Sequence, residues 1–160
     1  MLEYDVVARR IDAHGSSARC KDAEIVLDTD FKGRADAFNP AELLLAAVAA
    51  CMIKGIERVA PMIHFSFRGV KVRLHGVRQD SPPFMASITY ELVVDTDEDD
   101  RRLDLLHHNV RKYGTISNTV AAQSWKARLC ADQHSLNVAR PSVGPSAKVQ
   151  PARDPIRPAA

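Results

Sequence analysis

Residues 38–60, FNPAELLLAAVAACMIKGIERVA, place the strongest constraint on the fold of this 160-residue chain. Asn39 is a suitable N-cap, and Pro40 fits the first helical position. Glu42 stands three residues after the cap, as in a capping box. The Leu and Ala that follow have high helix propensity, and a helix that is apolar on nearly all sides must be buried nearly all round. The sequence therefore predicts a long helix enclosed by a sheet and by a second copy of the same helix.

A single thiol, Cys51, lies near the centre of this helix. It stands beyond the first turn, in which the helix dipole stabilises an anion, and apolar surroundings disfavour a thiolate. A reactive Cys51 therefore needs a cation. Arg58 lies about two turns further on the same face, whereas Lys54 is nearer but slightly to one side. An inert cysteine that only fills the core is the alternative interpretation.

The rest of the chain has the pattern of a mixed α/β domain. Polar breaks and period-two alternation predict strands, and the acidic run DTDEDD complements the start of a second amphipathic helix that ends at Gly114. In chain order, we predict strands at 2–8, 16–20 and 23–28, the long helix, a hairpin of strands 69–77 and 87–94, the second helix within 95–114, a short helical or irregular piece at 116–123, and a strand at 124–130.

Composition divides the chain into one domain, residues 1–138, and a tail, residues 139–160. Five of the nine prolines lie in the tail without apolar periodicity, which predicts disorder there. The tail also carries four cations against one carboxylate, so the net charge of +2 leaves the domain close to −1. This balance excludes a nucleic-acid-binding domain, because such a domain carries its basic stripe in the folded part.

Three cysteines, Cys20, Cys51 and Cys130, occur without a CxxC spacing, which argues against a disulfide framework and a thiolate-ligated zinc site. The longest apolar run, Leu43–Ile53, is shorter than the ~20 residues that span a bilayer. The N-terminus MLEYDVVARR lacks the order of a signal peptide. We therefore expect a reduced, cytoplasmic protein that does not enter the membrane.

No cofactor or metal is expected from the remaining motifs. His107 and His108 are adjacent on the second helix and point to different faces, which is poor geometry for a shared metal. The run DTDEDD lacks the glycine and the later bidentate glutamate of an EF-hand loop. There is no Gly-rich phosphate loop and no Ser/His/Asp signature.

Two segments, NPAELLLAAVAAC (39–51) and VRKYGTISNTV (110–120), resemble the OsmC/Ohr family of organic-hydroperoxide and osmotic-stress proteins. The first is similar to the family pattern N/S-P-x-E-L-L-x-A-A-x-x-x-C, and the second to the segment around the family's second cysteine. The resemblance covers about residues 1–135. It implies an α+β fold in which antiparallel sheets wrap around the long central helices of an intertwined homodimer. Each active site would then lie at the dimer interface.

The resemblance also implies a peroxidatic role for Cys51, whose thiolate would attack the peroxide O–O bond and become a sulfenic acid. In the family a second cysteine then resolves this acid as a disulfide. Here GTIS, beginning at Gly114, replaces the usual Cys-Pro-x-Ser, so the resolving thiol is missing. Cys130 and Cys20 could substitute for it, but both fall in strand-like segments and are interpreted as spectators.

An arginine and a glutamate activate the thiolate in the family. Ala41 stands where the hydroperoxide-reductase branch has its glutamate, and Glu42, one place further, matches other OsmC-like members. Glu42 is therefore a candidate catalytic residue besides its capping role. The candidate activating arginines, on the N-terminal strands, are Arg9, Arg10 and Arg19.

These residues predict a redox-active, single-cysteine peroxidase for organic hydroperoxides, in which an external thiol recycles the sulfenic acid of Cys51. A second hypothesis from another class is a catalytically degenerate stress protein that binds a small apolar or thiol-reactive ligand in the interface pocket. The joint loss of catalytic residues at Ala41 and Gly114 favours this alternative.

Overall fold

The computed structural model describes residues 1–120 and 124–132, so the predicted tail lies outside the described residues. Its elements, in chain order, are β1 (Val7–Arg10), β2 (Gly15–Cys20), β3 (Ala23–Asp28), α1 (Pro40–Met62), β4 (Gly69–Asp80), β5 (Pro83–Asp95), α2 (Asp100–Tyr113), α3 (Thr115–Val120) and β6 (Ser124–Asp132). The predicted order of elements is confirmed. The prediction of a strand at 2–8 was wrong in its bounds. Val7 pairs with Arg19, one residue before β2 ends, so the residues before Val7 have almost no strand left to pair with.

The strands form two sheets. The first is an antiparallel meander in the order β1-β2-β3, and the second has the order β4-β5-β6. β4 and β5 form the predicted antiparallel hairpin, whereas β6 pairs with β5 in parallel. The second sheet is therefore mixed, not purely antiparallel as predicted. The chain returns to the same end of the sheet through α2 and α3, and a parallel pair requires such a crossover.

The hydrophobic core lies between the second sheet and the two longer helices. The alternation predicted for β5 is confirmed, since Tyr90, Leu92 and Val94 are buried against the helices. The apolar stripe that helical spacing predicts on α2 consists of Leu103, Leu106, Val110 and Tyr113; the first three are buried, and Tyr113 is 43% exposed. The buried helical residues are Val48, Met52, Ile56, Val59 and Ala60 on α1 and Leu103, Leu106 and Val110 on α2. α1 thus buries one face within the chain, and its Ile53 side chain remains exposed.

The first sheet packs mainly on itself. Within the described residues its strands make few contacts with the helices or the second sheet, and a single bridge from Leu27 to Phe38 ties β3 to the start of α1. Ile25 and Val26 point to opposite faces of the sheet, and each is almost half exposed. A single chain therefore leaves apolar side chains uncovered on both faces of this sheet.

None of the described helices is both long enough and apolar enough to cross a membrane.

Candidate active site around Cys51

The start of α1 has the predicted capping box. Asn39 Oδ1 accepts the backbone N–H groups of Ala41 and Glu42 at 2.9 and 3.0 Å, and the Glu42 carboxylate accepts the Asn39 N–H at 2.9 Å. These bonds satisfy the N–H groups that a helix N-terminus leaves without intrahelical partners. They also hold the Glu42 carboxylate at the end of the helix. Cys51 lies nine residues further, about 13 Å along the axis, so this carboxylate is remote from the thiol of its own chain.

Cys51 is a free thiol, partly buried, in the middle of α1. Its neighbour Met52 is buried in the core, and Gly55 follows one turn later. α1 and α2 approach closely at Gly55, where an added Cβ atom would lie 3.0 Å from Val110 Cγ1. Since Cys51 is rotated by only about 40° from Gly55 around the helix axis, the thiol lies at the edge of the face that meets α2.

Gly114 ends α2, as predicted, and is buried at the junction with α3. Its N–H donates to the Arg111 carbonyl at 3.4 Å, and its carbonyl accepts the Asn118 N–H at 2.8 Å. A Cβ atom added here would lie 3.1 Å from the Val110 carbonyl oxygen and 3.2 Å from Ser117 Oγ. The backbone has a negative φ of −77°, which any residue adopts, so close packing is the reason that glycine fits. A resolving cysteine at this position would require the α2–α3 junction to shift.

The two cations on α1 that the sequence suggested as partners of Cys51, Arg58 and Lys54, form no hydrogen bond with its thiol. The Arg58 guanidinium lies over the Tyr113 ring, 5.6 Å from its centroid, which is a cation–π contact with the end of α2. Lys54 is exposed. Within the part of the chain that the structure describes, no side chain makes a hydrogen bond with Cys51 Sγ. One subunit alone therefore does not supply a described hydrogen-bond donor to the thiol.

The predicted arginines of the N-terminal strands also lie away from Cys51. Arg9 and Arg10 are exposed on β1, and Arg19 Nε is 3.7 Å from Glu24 Oε2 on the neighbouring strand. All belong to the first sheet, which makes few contacts with α1 in this chain. Any role of Arg10 or Arg19 at the thiol therefore depends on contacts beyond a single chain.

Arg34 is a further arginine that sequence reasoning missed. Its Nε and Nη2 donate to both carboxylate oxygens of Asp36 at 2.6 Å, and its backbone N–H donates to Asp28 at 3.0 Å. The hydrogen bonds to Asp36 raise the pKa of Arg34 and lower that of Asp36. A Cβ atom on Gly15 would lie 2.8 Å from Arg34 Nη1, so the guanidinium rests against β2. Arg34 is thus held in the loop that precedes α1. Its position shortly before the NPAEL motif is the sequence feature that could have identified it as a candidate.

A cleft of about 480 Å³ lies between α2, α3 and β5. Cys51 is not among its described lining residues, but Met52, which follows Cys51 in the sequence, lines it together with residues on both sides of Gly114. Its described lining residues are Met52, Tyr90, His107, His108, Val110, Arg111, Lys112, Ser117 and Asn118. A volume of this size is typical of sites for small molecules.

The inner part of the cleft contains a hydrogen-bonded pair, Tyr90 Oη and His107 Nε2, at 2.6 Å. Burial raises the pKa of Tyr90 and lowers the pKa of His107, so both groups are held in their neutral forms near pH 7. From the sequence, His107 was considered only as a metal ligand, and its partner Tyr90 was not predicted. In the described residues, no cluster of His, Cys, Asp or Glu could hold a metal ion.

The acidic run that precedes α2 is used in capping and ion pairs. Asp99 is the N-cap of α2, where its side chain accepts the Arg102 N–H at 2.8 Å. Asp95 and Asp97 bind Arg68, with an Nη2–Oδ1 distance of 2.6 Å to Asp95. The predicted role at the start of the helix is confirmed for Asp99, whereas Asp95 and Asp97 form ion pairs with Arg68.

Comparison with known proteins agrees with this architecture. The sequence pattern of the family described as OsmC-like protein matches residues 33–128, which include both the Cys51 and the Gly114 segments. A search among curated proteins found no match.

Solved structures with the same fold include an OsmC-like protein from Mycoplasma pneumoniae. It has 20% sequence identity and a TM-score of 0.73, and the alignment covers 82% of this chain and 96% of that one. An organic hydroperoxide resistance protein OsmC from Legionella pneumophila has 18% identity and a TM-score of 0.61, with 82% and 99% covered. The organic hydroperoxide resistance protein OhrB of Bacillus subtilis has 20% identity and a TM-score of 0.60, with 81% and 98% covered. Because the family pattern spans more than half of the chain and the fold is shared, this protein belongs to the OsmC-like family.

Proposed function

We propose that this protein is a thiol-dependent peroxidase that reduces organic hydroperoxides through Cys51. The observation that carries the proposal is a free, partly exposed thiol at the last position of the family motif, next in the sequence to Met52, which lines a cleft of small-molecule size. Similar folds occur in proteins named for organic hydroperoxide resistance, which supports the substrate class.

In the proposed first step, the Cys51 thiolate attacks one oxygen of the hydroperoxide. An S–O bond forms and the O–O bond breaks, and the departing alkoxide takes up a proton and leaves as an alcohol. The sulfur is oxidised by two electrons to a sulfenic acid while the peroxide is reduced.

Recycling in this proposal uses an external thiol, because the packing around Gly114 leaves little room for a resolving side chain. A first thiol molecule attacks the sulfenic sulfur, which releases water and forms a mixed disulfide. A second thiol molecule then displaces Cys51 and leaves as part of a small disulfide. We place the reaction in the cytoplasm, where such thiols are kept reduced.

A homodimer is part of the proposal. The first sheet exposes apolar side chains on both faces, and Ile53 on α1 is 39% exposed. Apolar side chains left uncovered on both faces of a sheet favour an interface with a second chain. In such a dimer, Arg10, Arg19 or Arg34 would supply the cation that the thiolate needs, and Glu42 would act on the site of the partner subunit.

The test is to treat the reduced protein with cumene hydroperoxide and to trap sulfenic acid with dimedone. Peptide mass spectrometry should find the adduct at Cys51, and Cys51→Ser should abolish peroxide consumption. The matched controls, Cys20→Ser and Cys130→Ser, should consume peroxide at the wild-type rate. A Cys51 thiol that survives excess peroxide unmodified would contradict the proposal.

The arginine that activates Cys51 is tested by substituting Arg10, Arg19 and Arg34 one at a time with Gln. The residue responsible should lower the rate of sulfenic acid formation by about 10-fold or more, the scale of one charge-assisted hydrogen bond. A wild-type rate in all three variants would exclude this set.

A second candidate function is the binding of a small apolar or thiol-reactive ligand without turnover. The observation in its favour is that no described side chain makes a hydrogen bond with Cys51 Sγ. In this case Cys51→Ala should bind an apolar ligand with the wild-type affinity. Loss of binding in that variant would exclude this second function.

A further inference from the structure

The cleft between α2, α3 and β5 has a charge pattern that the peroxidase chemistry does not use. Its described lining contains Arg111 and Lys112 and no carboxylate. Neither side chain forms an ion pair with a described Asp or Glu, although the Lys112 ammonium lies 5.4 Å from the centre of the Tyr113 ring. Two cations thus meet at one cleft without a described counter-ion.

Basic residues in the last turn of a helix complement the helix dipole, and this role alone would account for a cation at either position. It does not account for the neighbours of Arg111. The Arg111 guanidinium lies near enough to the buried Tyr90 hydroxyl to lower its pKa, although burial has the larger and opposite effect, and this hydroxyl is hydrogen-bonded to His107. The guanidinium therefore lies beside buried and half-buried polar groups that line the cleft.

The polar groups beside Arg111 are neutral. The Tyr90 hydroxyl can donate to His107 Nε2, because the His107 ring is neutral and its Nε2 can accept. Asp104, one turn earlier on α2, favours the charged ring, but burial and the neighbouring Arg111 and His108 outweigh it. Arg111 forms no ion pair with a described carboxylate, so its five N–H donors can serve a ligand.

Apolar side chains complete the cleft. Met52 and Val110 are both buried in the core, and they present carbon and sulfur atoms next to the cationic groups. Ser117 and Asn118 on α3 add neutral polar groups at the opposite wall. A site with an apolar wall and a cationic wall suits a molecule that has an apolar body and one anionic end.

We propose that this cleft binds a small organic anion, with a carboxylate or phosphate at Arg111 and Lys112 and an apolar body against Met52 and Val110. The inference does not rest on the proposed peroxidase activity. A carboxylate and a phosphate share the charge and the acceptor oxygens that an arginine recognises in a bidentate manner.

The experiment titrates the full-length protein with benzoate, phenyl phosphate and the neutral benzyl alcohol, and follows backbone amide shifts by NMR at constant ionic strength. We expect saturable shifts with at least one anion, centred on α2 and α3, and binding of benzyl alcohol weaker by about 10-fold or more. The tighter of the two anions identifies the headgroup. Equal affinity for all three probes, or no saturation with either anion, would overturn the proposal.

Variants separate the site from general surface charge. Arg111→Gln and Lys112→Gln should each weaken anion binding, whereas Arg101→Gln removes an exposed cation from the first turn of the same helix and should leave binding unchanged. Equal losses in Arg101→Gln and Lys112→Gln would show non-specific attraction and overturn the site. Arg111 and Lys112 are both exposed, so neither substitution removes a buried side chain, and each variant tests the proposal by itself. Cys51→Ser should bind the anion normally, so this test and the peroxidase test can fail independently.

Discussion

The contact between Gly55 and Val110 offers a sharp test of how α1 and α2 hold the site. Gly55 lies one turn after Cys51, and Val110 is 2% exposed and lines the cleft. In Gly55→Ala the new methyl carbon would lie 3.0 Å from Val110 Cγ1, at least 0.5 Å inside the usual carbon–carbon contact. Val110 is β-branched and has one strongly preferred rotamer in a helix, so its methyl group cannot simply turn away.

Two opposing effects set the magnitude. Replacing Gly by Ala inside a helix stabilises it by about 1 kcal/mol. Overpacking a filled core costs about 1–3 kcal/mol, because the helices must separate slightly. We therefore expect Gly55→Ala to lower the free energy of unfolding by about 1 kcal/mol, on balance. In a Val110→Ala background the clash is absent, and the same substitution should stabilise the protein by about 1 kcal/mol.

Urea denaturation of the four members of this double-mutant cycle measures both effects. Lys54→Gly compared with Lys54→Ala, at the exposed position one residue earlier, gives the propensity difference without the clash. If contact with Val110 causes the destabilisation, the change in the free energy of unfolding on Gly55→Ala must reverse its sign when Val110 is replaced by Ala. A stabilising effect in the wild-type background, or the same effect in both backgrounds, would refute it.

Three further predictions concern individual hydrogen bonds and one titration. Asn39→Ala removes the acceptor of two N–H groups at the start of α1 and should lower the free energy of unfolding, measured by urea denaturation, by about 1 kcal/mol. An unchanged denaturation midpoint would show that the Asn39 cap does not stabilise the protein. Thr96→Val should cost about 1–3 kcal/mol, since the fully buried Oγ1 donates to the Ser66 carbonyl at 2.6 Å; Thr96→Ser should retain most of the stability. The pKa of His107 is lowered from 6.5, mainly by burial, so the unfolded state binds the proton more strongly than the folded state does. The free energy of unfolding should therefore fall as the pH drops from about 6.5 through the lower pKa of the folded state. His107→Gln should flatten this part of the curve of melting temperature against pH, and parallel curves would rule out the assignment.

Local patterns were sufficient to predict most of the elements. The capping box at Asn39 and Glu42 depends on residues three apart, and the structure shows both of its hydrogen bonds. The buried face of β5 follows from alternation alone, the acidic run indicated the start of α2, and Gly114 indicated its end. These features could be predicted because the groups that interact are close in the sequence.

The arrangement around Cys51 could not be predicted in the same way. His107 was considered only as a metal ligand, because nothing near it in the sequence indicates that Tyr90 lies across from it. Arg34 was missed because its contacts with Asp28 and Gly15 depend on the pairing of β2 with β3. Both contacts join residues that only the folded chain brings together.

The sequence by itself determined the long helix, the position of its thiol and the family to which the motif points, because helix caps and side-chain periodicity act over a few residues. The tertiary structure decided that β6 pairs in parallel with β5, that the packing around Gly114 leaves little room for a side chain, and that Arg111 lines one cleft with Tyr90 and His107. These outcomes depend on how the sheet and helices are placed in space, since packing and buried hydrogen bonds connect residues far apart in the chain.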